Sequence, residues 1–467
     1  MDSIGFVYSG SLRCASSLRS TKLSKCALVS KIGGVSVFHG RSSRAQVRRS
    51  SGLQMVATTS SSRKTEFNAV EDSEARKGTA QRPFRIALLE GDGAGPEVIK
   101  AALKVLAAVE QYTDLHFDVA YSPYGLDSLA ESGDLVPEST ILLCKEADAV
   151  LRGYQGSSRF TPEHSLGQLS AHSILKEKLD LFAQLRPVKM FEPLLAASRL
   201  KPEYVEGTDM MIVREIAAGA LPASKVAQQS TGSEASSSFS YTKSQVDRIA
   251  ALAVSIAEQR SGRILNVDKA DAMVVSSFWR EKLHDYFSKK MGKRQDLTLS
   301  DMFVDDFCRE VVLEPNSFDV IVTSNLFGDI LSEVASGITG SMRLSPSAWL
   351  SESGLAVYGP ADLYNSSAYP KGSSVPEIKE KQSMSNPIAT IRAMSMMLRY
   401  SLEEPAAADL IQTALNRVLA EVVPRDAASY FPDRKPVSAE EFAEALSESF
   451  AYMHQYEMVC DPEICGD

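Results

Sequence analysis

The stretch from Phe318 to Ser341, FDVIVTSNLFGDILSEVASGITGS, constrains this chain most. Asp319 to Thr323 is a short apolar run rich in β-branched residues, which reads as a fully buried strand. Ser324 and Asn325 break it, and Leu326, Ile330, Leu331 and Val334 then recur at helical spacing. Asp329 and Glu333 lie four residues apart and share one face of that helix. Two like charges so placed cost a bare helix about 0.2–0.5 kcal/mol. A divalent cation held by oxygen ligands would reverse that sign. Two solvated acids on an exposed turn have the same spacing, so the pattern alone leaves both readings open.

The full chain has 467 residues, enough for two domains with their own cores. No apolar run approaches the roughly 18 residues of a membrane span. Six cysteines are too few for a disulfide scaffold and point to a reducing compartment. Residues 1–64 hold 16 Ser and 11 Lys or Arg but a single acid, Asp2. That composition predicts an organelle transit peptide, for a plastid first and a mitochondrion second; a basic nucleic-acid-binding tail is the alternative. Without this segment 39 basic residues face 58 acidic ones, a net charge near −19. Such a body argues against nucleic-acid and anionic-membrane partners, so an anionic substrate needs a local cluster of cations.

Residues 65–83 read as a polar linker. Folding is expected to begin with a strand at 84–89, then the turn Glu90-Gly-Asp-Gly-Ala-Gly-Pro96 and a helix from Glu97 to about Tyr112. Helices are expected at 137–147, 174–181, 245–260, 387–401, 406–422 and 439–453, and around Trp279–Phe287. Strands are expected at 149–151, 210–213 and 263–267, with loops over the Ser/Gly-rich 229–239 and the polar 351–385. Strands alternating with helices imply an α/β fold.

Polar residues cluster where strands end, the usual ligand-binding place in open α/β sheets. Arg186 and Arg214 could each hold a carboxylate by two nitrogens. Lys269 follows a buried strand, so desolvation or neighbouring cations could lower its pKa and make it a base. Asp305 is a third acid that could join Asp329 and Glu333. Together they suggest a divalent metal beside an anion pocket and a lysine base.

At this point the chain resembles the metal-dependent β-decarboxylating dehydrogenases, the isocitrate/isopropylmalate dehydrogenase family, and most of all its isopropylmalate-oxidising branch in leucine biosynthesis. The carrying motifs run in the family's order: Leu89-Glu-Gly-Asp-Gly-Ala-Gly-Pro-Glu97, Ala147-Asp-Ala-Val-Leu151, Leu181-Phe-Ala-Gln-Leu-Arg-Pro187, Val213-Arg-Glu215, Val267-Asp-Lys-Ala270, Asp301-Met-Phe-Val-Asp305, Asn325-Leu-Phe-Gly-Asp-Ile-Leu-Ser332 and Asn386-Pro-Ile-Ala-Thr390. The resemblance implies a two-domain fold with a mixed sheet flanked by helices. Residues 84–181 and 340–460 would form the cofactor-side domain, and 182–339 a smaller domain carrying the dimer interface. It also implies hydride transfer from a 2-hydroxy acid bearing a β-carboxylate to NAD, with Mg²⁺ or Mn²⁺ bound. Lys269 would be the base and Asp305, Asp329 and Glu333 the metal ligands, with Lys269 and Asp305 coming from the partner subunit. Lys176, Arg186 and Arg214 would bind substrate, and Asn386 the cofactor.

The departures fall in the site. Lys176 takes the place of the family's first arginine and lacks its fork. Glu333 replaces an Asp, and Leu221 stands seven residues after Arg214, where the family has its catalytic Tyr. The family's His-Gly-Ser-Ala-Pro-Asp cofactor segment has no counterpart in Tyr358 to Ser367, and its Gly-Gly-Pro turn is replaced by Tyr154 to Ser158. His172 and Ser173 fall on apolar positions of the family's isopropyl pocket. Two functions remain open: a working plastid dehydrogenase, as a homodimer or beside a related subunit, and an inactive regulatory or structural subunit. Cys460 and Cys465 are either a redox pair or free tail thiols.

Overall fold

The computed structural model describes residues 64–67, 77–155, 170–221, 227–230, 232–291, 296–340, 344–361 and 385–459. All but the last residue of the expected transit peptide, most of the altered cofactor segment, Gly156 to Ser158, and the tail cysteines lie outside them.

The opening half alternates strands and helices. Strand β1 (Phe84–Leu89) feeds α1 (Gly95–Tyr112), β2 (Phe117–Ser122), α2 (Leu126–Ser132), α3 (Glu138–Glu146) and β3 (Ala149–Arg152). Helix α4 (Ala171–Lys178) then leads to β4 (Leu181–Lys189), α5 (Pro202–Val205) and β5 (Asp209–Glu215). A hairpin of β6 (Ala227–Ser230) and β7 (Ala235–Ser238) precedes α6 (Lys243–Glu258), β8 (Arg263–Asp268), α7 (Val274–Met291), β9 (Thr298–Phe303) and α8 (Val304–Leu313). Next come β10 (Val320–Thr323), α9 (Asn325–Ile338), β11 (Pro346–Ser351) and β12 (Ala356–Pro360). The chain finishes with α10 (Ile388–Tyr400), α11 (Pro405–Glu421), β13 (Val422–Pro424), β14 (Lys435–Val437) and α12 (Ala439–Val459).

Ten strands form one mixed sheet in the order β2-β1-β3-β12-β11-β4-β5-β10-β8-β9. The three successive pairings β12–β11, β11–β4 and β4–β5 are antiparallel, and the other pairings are parallel. The expected α/β fold with a mixed, helix-flanked sheet is therefore present. Strands at 84–152 and 346–360 occupy one side of the order, and strands at 181–323 the other.

Local chemistry explains the elements. Helix α1 buries Val98, Ile99, Ala102, Val105, Leu106 and Val109, a stripe at helical spacing, and Pro96 pre-sets its first turn. Helix α6 opens on a capping box, with Thr242 and Gln245 each satisfying the other's backbone N–H. In α10 every residue from Ile388 to Leu398 is buried, which suits a helix packed between the sheet and α11.

Four expectations change. Residues 351–385 were expected to be loop, but β12 within them is fully buried and sits between β3 and β11. The Ser/Gly-rich 229–239 contains β7, whose backbone pairing with β6 needs no apolar side chain. The helix expected to reach Leu181 ends at Lys178, because Asp180 turns the chain at a φ of +52° and Leu181 opens β4. The end of the expected linker is a folded turn: Gly78 N–H donates to Arg82 O at 2.7 Å, and Gly78 O accepts from His116 N–H at 2.7 Å.

Register sets up the site. Trp349 on β11 pairs with Gln184 on β4, which pairs with Arg214 on β5. Directly paired residues share a face of a sheet, so these three side chains stand in one row.

Candidate functional site

The site is built where α9 lies across β4 and β5. Gly328 allows the close approach, since a Cβ there would stand 2.6 Å from Arg214 Cγ. Arg214 is 9% exposed and donates to Asn325 Oδ1 through Nε (3.2 Å) and Nη2 (2.7 Å), and to Gln184 Oε1 through Nη1 (3.1 Å). Its Nη1 also pairs with Asp329. Arg186 is buried and donates through Nη2 to Glu333 Oε1 at 3.3 Å and to Ser336 Oγ at 3.3 Å. The shared helical face of Asp329 and Glu333 is thus real, and each acid meets one arginine. The guanidinium groups are buried, whereas the Asp329 and Glu333 side chains are 53% and 45% exposed. Asn325 is held in turn, donating from Nδ2 to Ala218 O at 2.7 Å, with its N–H donating to the Tyr241 hydroxyl at 3.0 Å.

Lys269 and Asp305 form a separate group. Lys269 Nζ donates to Asp305 Oδ1 at 2.8 Å and to Asp271 Oδ2 at 3.1 Å, and lies 5.0 Å from the Phe303 ring centroid. The hydrogen bond to Asp305, then that to Asp271, holds the Lys269 ammonium above its ordinary range. This corrects the expectation of a lowered pKa: the neighbours are acids rather than cations, and their hydrogen bonds outweigh the desolvation of the side chain. Asp305 is lowered by the same contact. A cavity of about 560 Å³ lined by Arg280, Asp301, Phe303, Asp306 and Arg309 opens beside this group. Among the described residues no three carboxylate, histidine or cysteine side chains converge as metal ligands within the one chain. Asp305 is accordingly not brought to Asp329 and Glu333.

Lys176, on α4, extends over Trp349, with Nζ 4.4 Å from the ring centroid. Asn386 is 2% exposed, and its side chain is engaged within the fold. Its Oδ1 accepts from Ile388 N–H at 3.0 Å at the start of α10, and its Nδ2 donates to Asp426 at 3.1 Å. Leu221 is 42% exposed. The glycines of the β1–α1 turn serve backbone packing: a Cβ at Gly91 would meet Tyr154 O at 2.0 Å, and one at Gly95 would meet Glu90 O at 2.0 Å. This turn lies at the carboxyl ends of β1 and β3, where the chain switches sides of β1, the usual ligand crevice of such sheets.

Three residues of the constellation were not singled out from the sequence: Gln184, Asn325 and Trp349. Gln184 was within reach, since it lies two residues before Arg186 and strand period places both on one face. Asn325 opens the helix after a buried strand, a position that commonly orients ligand groups. Nothing local marks Trp349 beyond its being one of two tryptophans.

Comparison with known proteins identifies the family and the fold. Residues 85–446 match the family described as isocitrate/isopropylmalate dehydrogenase. The 3-isopropylmalate dehydrogenase of Bacillus licheniformis is 40% identical over 339 residues, 72% of this chain and 88% of the relative. That of Thermosynechococcus vestitus is 38% identical over 341 residues, 72% and 90%. Among solved structures, isocitrate dehydrogenase from Methylococcus capsulatus superposes with a TM-score of 0.64 at 26% identity, covering 79% of this chain and 99% of that one. The β-decarboxylating dehydrogenase of Thermococcus kodakarensis gives 0.62 at 26% identity, covering 82% and 99%. The match over residues 85–446 and the mixed, helix-flanked sheet have one source: the chain belongs to the isocitrate/isopropylmalate dehydrogenase family of oxidoreductases.

Proposed function

We propose that the protein oxidatively decarboxylates a 2-hydroxy acid bearing a β-carboxylate, 3-isopropylmalate above others, with hydride transfer to NAD in the leucine pathway. The observation that carries this is the pairing of two buried arginines with two half-exposed carboxylates, Arg186 with Glu333 and Arg214 with Asp329. Substrate carboxylates arriving at Arg186 and Arg214 replace those acids as partners, and Lys176 adds a third positive charge. Asp329 and Glu333, with Asp305 of a second copy, are the hard oxygen donors that would hold Mg²⁺ or Mn²⁺, which when bound polarises the substrate's C2 oxygen. NAD would lie at the β1–β3 crevice and supply the hydride acceptor, with Asn386 fixing the start of α10 beside it.

Lys269 of the second copy takes the C2 hydroxyl proton as hydride leaves C2; the β-keto acid formed loses its β-carboxylate as carbon dioxide, and the enolate left behind takes a proton from water to give the 2-keto acid. In the single chain the hydrogen bonds to Asp305 and Asp271 favour its protonated form, so Lys269 becomes a base only once substrate and cation draw Asp305 away. The protein therefore acts as a homodimer or beside a related subunit, and residues 1–64 would deliver it to a plastid. Leu221 favours a second reading, a regulatory or structural subunit, because a leucine side chain has no proton to give.

The test is NAD reduction by the protein from Glu66 onward, with Mg²⁺ and 3-isopropylmalate. Turnover that EDTA and Lys269→Ala both abolish is the expected result. A folded protein that binds Mg²⁺ and shows no turnover would leave the subunit reading in its place.

A further inference from the structure

Trp349 gathers basic side chains around one ring. It is 1% exposed and sits on β11, with the Arg152 guanidinium 4.2 Å and the Lys176 ammonium 4.4 Å from its centroid. The His172 ring meets it edge-on at 4.9 Å. Its Nε1–H is buried and has no hydrogen-bond partner among the described residues, so packing and cation contacts hold the ring there. Arg152 has been given room: a Cβ at Gly359 would lie 2.4 Å from Arg152 Cγ, and Arg152 donates to Gly153 O at 3.2 Å and Pro360 O at 3.0 Å.

We infer that Trp349 is a positioning residue for substrate recognition, holding the Lys176 ammonium at the end of the row that runs through Gln184 to Arg214. This rests on the proposed function. A lysine carries a compact charge on a flexible stem and lacks the fork that lets arginine fix a carboxylate by geometry. The Trp349 face is one contact that fixes where that charge sits. An aromatic face attracts an ammonium through its quadrupole and, unlike a carboxylate, adds no opposing charge that would weaken the pull on a substrate anion. The register supplies the distance: Trp349 and Arg214 flank Gln184, two strand spacings or about 10 Å apart. That span suits a small hydroxy acid with a carboxylate directed to each end. Gln184 ties the row together, donating to Ser347 Oγ at 2.8 Å while accepting from Arg214.

The experiment combines kinetics with emission. Trp349→Leu should raise the KM for 3-isopropylmalate about 10-fold, with a smaller fall in kcat, and Trp349→Phe should recover most of the loss by restoring an aromatic face. The chain has only two tryptophans, so Trp279→Phe isolates Trp349 emission. In that protein 3-isopropylmalate should produce a saturable change that Lys176→Ala removes, a readout that does not depend on Trp349→Leu folding. A KM within twofold of wild type in folded Trp349→Leu, or an emission response that survives Lys176→Ala, would overturn the inference. Saturable emission without turnover in wild type would sink the dehydrogenase reading and leave this one standing. Turnover without any emission response would do the reverse, and absence of both would remove both.

Discussion

Arg214 grips the single side-chain oxygen of Asn325 with two nitrogens, Nε at 3.2 Å and Nη2 at 2.7 Å. Because Asn325 is the first residue of α9, the helix start fixes the angle at which the guanidinium faces Asp329. Orientation of the anion pocket and placement of the helix are thus one event.

Asn325→Ala should therefore do two kinds of damage. It leaves Arg214 N–H groups and the Ala218 carbonyl unsatisfied in the interior, a loss of about 2–3 kcal/mol. It should also raise KM for the hydroxy acid, because Arg214 is no longer aimed. Urea unfolding and steady-state kinetics on the same preparation separate the two effects.

Leu221→Tyr should restore a proton donor where the family carries one. General acid catalysis is worth about 10²–10⁴-fold, so a rise in kcat toward the lower end is expected. The half-exposed position leaves room for the larger ring. An unchanged kcat would mean that another group protonates the product.

Gly359→Ala should destabilise the protein by about 1–3 kcal/mol, since the added methyl meets both the Arg152 side chain and, at 2.8 Å, its carbonyl oxygen. Thermal unfolding measures the cost. A weakened Trp349 emission difference in the same variant would show that Arg152 had left the ring.

Stability should also carry a pH signature at Asp209. Burial acts to raise its pKa, but Arg260 at 2.9 Å and Lys189 at 2.9 Å outweigh it and hold the carboxyl below its ordinary range. A depressed carboxyl stabilises the fold above its unfolded value of about 3.9 and loses that contribution as pH falls through the folded value. Asp209→Asn should accordingly lower the urea midpoint at pH 7, while its difference from wild type shrinks below about pH 4. The effect should be modest, because the side chain is partly screened by solvent.

Much of this was legible because burial and function left different traces. The strands β1, β5 and β10 hold continuous apolar runs, Ile86–Leu89, Met210–Val213 and Val320–Val322, and a fully buried strand has little else to be. Strand β12 carries the same burial within a serine-rich stretch, so its surroundings hid it. Strand β9 lies at the sheet edge with polar side chains exposed, and the hairpin of β6 and β7 is paired through its backbone. Within the site, Arg214, Asp329 and Glu333 could be grouped because they stand at a strand end or on one helical face, whereas Arg186 lies inside β4. The direction of the Lys269 shift could not be read in the same way. It depends on Asp305, thirty-six residues away, more than on the strand that precedes it. The row from Trp349 to Arg214 is a property of register, which no single segment encodes.

The separation of Lys269 and Asp305 from Asp329 and Glu333 has a genetic consequence. On the proposed composite site, an allele damaged only at Lys269 and one damaged only at Asp329 each still make an intact complementary half. Expressed together, they would assemble mixed particles with one sound centre, so two null alleles could restore growth where neither does alone.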